Sequence, residues 1–188
     1  MSYAQRRRFL WVLRLIGMAL IAAVAHATTL ARLQFYQLVA HSSAIARVRC
    51  LRVDTRMENG EIWTDTVFEV LQHDKGFLPS PIIVRMPGGT FQHLNSHVDG
   101  VPEFRPGEEV YVFLLGQPGR QFHIVGWSQG TFRIRKDFHT GLETVTQDSA
   151  GVPVFDPQTN KFTKSGMKNL RMDRFLEKLN TEIHRQSL

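Results

Sequence analysis

The sequence predicts a mainly β fold: a small antiparallel β-barrel flanked by an N-terminal and a C-terminal helix. Three observations carry that reading. Apolar residues alternate with period two through several short runs in the middle of the chain. Glycine- and proline-bearing turns separate those runs, and helical spacing is confined to the two ends. A chain of 188 residues with 43% hydrophobic content suffices for one domain with its own core. Charged residues at 21% and aromatics at 10% exclude a disordered acidic or basic tail.

The first 27 residues read as an address. Arg6, Arg7, Arg8 and Arg14 precede the apolar stretch Leu15–Val24, and Ala25-His26-Ala27 supplies the small-x-small pattern of a signal peptidase site. The ten-residue apolar stretch is short for a permanent span. The expected domain organisation is therefore a signal peptide over 1–27 and a single barrel domain with its C-terminal helix over 28–188. Export follows, to the periplasm or beyond the cell, with no permanent membrane anchor once the segment is cleaved. Arg6-Arg7-Arg8-Phe9-Leu10 also fits the twin-arginine pattern, with Gln5 in the usual Ser/Thr position. The net charge of +6 belongs mostly to this segment: 23 basic residues less these four leave 19 against 17 acids, or +2. The high pI is thus no argument for nucleic acid. Cys50 is the only cysteine, so no disulfide framework exists, and its place in an alternating run predicts a buried, inert thiol.

Each element then follows in order. Leu30–Ser42 has Ala31, Phe35, Leu38 and Val39 on one helical face. Ala44–Val53 alternates, with Ala46, Val48 and Cys50 on one side and Arg47 and Arg49 on the other. Asn59-Gly60 predicts a tight hairpin, because both residues tolerate the positive φ of a type I′ turn. Glu61–Gln72 returns as a long strand. Ile82–Val84 is a short one, ended by Pro87-Gly88-Gly89, after which a loop runs to Pro106-Gly107. Glu109–Leu115 is the most hydrophobic strand and the one expected to be most buried. Phe122–Val125, Gly130–Lys136 and Glu143–Thr146 are further strands. Asp148–Phe162 reads as a loop, and a last helix starts from Ser165, with Leu170, Phe175, Leu176, Leu179 and Ile183 at helical spacing.

Several of these residues resemble a known group. Leu38-Val39, Ser42, Ile45, Ile62-x-Thr64, Lys75-Gly76 and Pro87-Gly88-Gly89 are followed by Gly100-Val101-Pro102-x-Phe104 and Gly107-Glu108-Glu109-x-x-Val112-Phe113-Leu114. The run ends at Gln129-Gly130-x-Phe132. Over about residues 36–136 the chain resembles a group of uncharacterised exported bacterial proteins. That group is in turn similar to the OB-like barrel of the tissue inhibitors of metalloproteinases and netrin-like modules. The resemblance implies an OB-like barrel and a binding role. It does not carry over the inhibitors' mechanism, which uses an N-terminal cysteine where this chain would begin at Thr28.

Three constellations could carry chemistry. Gly126-Trp127-Ser128-Gln129-Gly130 matches G-x-S-x-G, the nucleophile elbow of α/β-hydrolases, which needs a helix after the serine. Thr131–Arg135 instead alternates like a strand. A strand after Gly130 favours a binding module; a helix favours a small serine hydrolase using Ser128. His93, His97 and Asp99 offer three metal ligands, provided the histidines share a helical face. Arg47 and Arg49 on one strand and Arg133 and Arg135 on another would form an anion-binding patch if those strands are neighbours. No aromatic platforms lie between these arginines, so nucleic acid is not the expected partner. No motif asks for a cofactor. The sequence therefore predicts an exported, non-catalytic binding or interaction module for an unidentified protein or anionic polymer.

Overall fold

The period-two segments pair into one large sheet because each has an apolar face to bury. The computed structural model describes residues 31–186. The expected signal segment and cleavage site, and Leu30 at the start of the expected first helix, lie outside the described residues. Asn59 and Gly60 take φ of 52° and 81°, the left-handed pair a type I′ turn needs, and join β1 (Ala44–Glu58) to β2 (Glu61–Lys75). β3 (Ile82–Pro87) pairs with β2, while β6 (Glu109–Leu115) pairs with the other edge of β1. A two-residue β7 (His123–Ile124) and then β8 (Thr131–Lys136) both pair with β6. β9 (Glu143–Gln147) and a short β12 (Leu170–Arg171) extend the sheet beyond β8. The hydrogen-bonded path β12-β9-β8-β6-β1-β2-β3 is open at both ends, with β7 off it. One isolated parallel bridge, Val84 to Phe122, links β3 to the segment entering β7.

The sheet buries a separate core on each face. Ala46, Val48, Cys50, Phe68, Val84, Val110, Val112 and Leu114 form the first. Ile45, Tyr111, Phe113 and Phe132 form the second with the two helices, α1 (Phe35–His41) and α2 (Met172–Gln186). Phe175 of α2 is wholly buried against Phe35, Tyr111 and Phe132, with ring centroids 5.1–6.1 Å away. Glu109–Leu115 is a strand with those bounds, and its central residues are 0–1% exposed. Cys50 is 1% exposed, and burial first, then the Glu108 charge, pushes its thiol pKa up.

Four expectations need correction. The first helix begins at Phe35 because Gln34 is extended (φ -73°, ψ 155°) and acts as its cap, its N–H donating to Gln37 Oε1 at 2.7 Å, while Ala31 and Arg32 before it run extended beside Phe155. The presumed loop after Pro87 contains a small hairpin, β4 (Gly89–Phe91) and β5 (Leu94–Ser96). Asp148–Phe162 holds another, β10 (Pro153–Asp156) with the start of β11 (Lys161–Lys164); proline is tolerated at the first residue of β10. The last helix starts at Met172 because Leu170 and Arg171 pair with Val145 and Thr144 of β9. Among the described residues no helix is long and apolar enough to cross a membrane.

Candidate functional site

β1 and β2 run past the first core, and there their inward positions change from apolar residues to threonines. A register shift between Cys50 and Arg52 expels Leu51, which is 47% exposed, and reverses the parity of β1. Val53 and Thr55 thereby turn inward opposite Thr66 and Thr64 of β2. Met86 of β3 completes this floor, and β4, β5 and the loop through Phe104 arch over it. The result is a cleft of about 380 Å³, at the small end of ligand sites.

Its polar groups have a defined order. Thr64 Oγ1 donates to Gly88 O at 2.6 Å, and Thr55 Oγ1 lies 3.2 Å from Thr64 Oγ1. A threonine hydroxyl has one proton, and that of Thr64 is committed to Gly88. Thr55 is therefore the donor to Thr64 and keeps lone pairs for a further partner. Gly89, at φ 124°, comes so close that a Cβ would stand 2.3 Å from Thr64 Oγ1. The Gly88-Gly89 turn thus needs both its backbone freedom and its lack of side chains. Ser96 lines the roof beside Thr90, Asn95 and His97, while Glu103 stands exposed at the wall.

The wall is anchored by Arg133. Its guanidinium donates to Glu103 O at 2.8 Å, pairs with Asp148 at 2.6 Å and Glu108 at 2.7 Å, and stands 5.0 Å over the Phe104 ring. Phe104 packs edge-on against Phe68, with centroids 5.0 Å apart. Ser128 N–H donates to Gly100 O at 2.9 Å, tying the same loop to the Trp127–Gly130 turn.

The four arginines do not come together. β6 lies between β1 and β8, and alternation puts Arg47 and Arg49 on the helix side of the sheet and Arg133 on the cleft side. Arg135 shares the parity of Arg133 and is exposed at the far end of β8. Arg47 is held by Glu109 at 2.6 Å and Glu143 at 2.9 Å; Arg49 by Glu109 at 2.7 Å and Glu69 at 3.2 Å. Hydrogen bonds from Arg49 and Arg47 keep the Glu109 carboxyl below the usual range, and Arg47 does the same for Glu143. Glu69 and Glu109 sit on the two strands flanking β1, and Glu143 on β9 beyond β6 and β8, an arrangement no linear spacing reveals.

His93 lies in the turn between β4 and β5, and β5 separates it from His97, so the two never share a helical face. His97 Nε2 is 3.3 Å from Asp99 Oδ1, both largely exposed, and among the described residues no three His, Cys, Asp or Glu converge on a metal position. The G-x-S-x-G segment is a 3₁₀ turn leading into β8, and among the described residues no histidine hydrogen-bonds Ser128. The sequence reading puts Thr64 and Thr66 on one face with Ile62 and Phe68 but does not bring Thr55 beside them and reads no site there. The available signal was Thr55, Thr64 and Thr66 flanking an Asn-Gly turn, since hairpin register follows from the turn. No family model, curated protein or solved structure matches the chain.

Proposed function

We propose that this protein is an exported, non-catalytic binding module built on an OB-like barrel, with its ligand site in the threonine-floored cleft. The barrel reading is supported by Phe122, whose N–H donates to Ile83 O at 2.9 Å and whose carbonyl accepts from Arg85 N–H at 3.0 Å. Those bonds set the segment entering β7 beside β3, while β7 itself pairs with β6; closure of β1, β2, β3, β7 and β6 into a barrel is part of the proposal. The export reading rests on the residues 1–27 and on the resemblance over residues 36–136.

One observation carries the binding role: the cleft is roofed by a hairpin that belongs to no larger sheet and is held against a floor of neutral hydroxyls. A binding partner is taken to be an envelope component, protein or polymer. The test is affinity capture from the native envelope fraction with the exported form as bait, after N-terminal sequencing that should begin at Thr28. Thr90 is exposed in the roof, so Thr90→Trp fills the cleft mouth without disturbing either core. Capture by the parent and its loss in Thr90→Trp is the expected result. Equal capture by both would remove the cleft from the proposal, and a start at Met1 or Ser2 would replace cleavage by anchoring.

A further inference from the structure

Taking the cleft as the binding site, we infer that its ligand is an uncharged, polyhydroxylated molecule of the saccharide class. The first argument is charge. Among the described residues no lysine or arginine lines the cleft, and Glu103 is its one carboxylate. Arg133 at the wall is consumed by Asp148 and Glu108, and Arg56 and Arg85 face the other side of the sheet, paired with Asp65 and Glu58. His97 at the roof is engaged by Asp99 at 3.3 Å, so an anionic ligand would lose its hydration there with no lysine or arginine to replace it.

The second argument is the main chain. Thr55 pairs with Thr64, Thr66 with Val53 and Val84, and Thr90 with Asn95, each within an existing ladder. Thr64 and Thr66 of β2 have partners on both sides, so the floor there presents side chains to a ligand; among the described residues the outer edges of the β4–β5 hairpin and of β1 beyond Arg49 join no ladder, and the peptide control tests them. What the floor offers is a hydroxyl beside a methyl at each threonine, over Val53 and Met86. A pyranose presents the same alternation, with C–H faces for the methyls and O–H edges for the hydroxyls. The relay Thr55 to Thr64 to Gly88 leaves Thr55 Oγ1 as an acceptor, suited to a ligand hydroxyl.

The test is a titration of the exported form with diacetylchitobiose, cellobiose and maltose, followed by NMR at the threonine methyls. A sulfated heparin disaccharide and a capped trialanine peptide are the controls. At least one neutral saccharide should shift the Thr55, Thr64 and Thr66 methyls, and the controls should not. Thr64→Val takes away the acceptor that aims the Thr55 proton, so the Thr55 lone pairs no longer face the ligand, and that saccharide should weaken about tenfold, the worth of one lost hydrogen bond at the upper end of the usual range. Thr55→Val keeps the Thr64–Gly88 bond and should weaken it comparably, which separates lost binding from lost folding. No shift with any neutral saccharide, undiminished affinity in both valine variants, or binding of the peptide or the sulfated sugar instead would overturn the saccharide class. If capture from the envelope still depends on Thr90 in that case, the cleft keeps its role with another ligand; if it does not, both readings fall.

Discussion

Gln129 and Gln147 explain a motif that otherwise invites a catalytic reading. Gln129 is 2% exposed; its Oε1 accepts from Leu33 N–H at 2.7 Å and its Nε2 donates to Ala31 O at 2.8 Å. Gln147 donates to Gln129 O at 2.6 Å and accepts from Met167 N–H at 3.1 Å. Two buried amides thus clamp the start of the described chain and the approach to β12 onto the turn that follows β7. Gly130 completes the turn, since a Cβ there would lie 2.1 Å from Val125 O. The glutamine and second glycine of G-x-S-x-G are accordingly structural. Gln129→Leu should cost about 1–3 kcal/mol, because the Leu33 N–H and the Ala31 carbonyl, both only part-buried, lose their partners. Ser128→Ala should cost less than about 1 kcal/mol. Urea denaturation of the two variants checks this, and the reverse order would return the serine to prominence.

At the scale of elements, the charged lattice across β1, β2, β6 and β9 is what a linear reading could not supply. Arg47 and Arg49 were legible as an outward-facing pair, but their partners Glu109, Glu143 and Glu69 are brought beside them only by strand order. Glu109 ionises below its ordinary value of about 4.5 in the folded protein and at that value unfolded. Its contribution to stability is therefore complete above about pH 4.5 and is lost as pH falls through the lower folded value. Glu109→Gln should melt below the parent at pH 7, with the gap closing as pH drops below about 4.5. A gap that stays constant with pH would show that the ion pairs contribute nothing. The long strands and the Asn59-Gly60 turn were legible because alternation and positive-φ residues are local properties. The reversal of β1 at Leu51 was not, because a bulge is chosen by the pairing with Glu108 and Gly107 rather than by the strand itself. That one displaced residue is also why the cleft went unseen: without it Thr55 would be assigned to the outer face. The short hairpins escaped for a similar reason, since three- or four-residue strands show too little alternation to register.

For the whole molecule, two cores share a single layer of backbone. The second core depends on α2, whose Phe175 and Leu179 are wholly buried against the sheet. Phe175→Ala should cost about 3–5 kcal/mol, as for other buried aromatic truncations. Signals from Trp127, packed against the first core, and from helical circular dichroism should then move to lower denaturant together. Separate midpoints would show that the two sides of the sheet unfold independently.

The double burial of β6 also sets an order in time. The β1–β2 hairpin is local and can form early, whereas Arg49 and its partner Glu109 are 60 residues apart in the chain. Until that distance is closed, neither core has its central strand. Chain closure at β6 is thus the rate-determining search, expected on the millisecond-to-second scale of non-local β proteins. For that interval a newly made chain has its β1–β2 hairpin and neither finished core, and the apolar faces of β1 that β6 will later flank stay open to water.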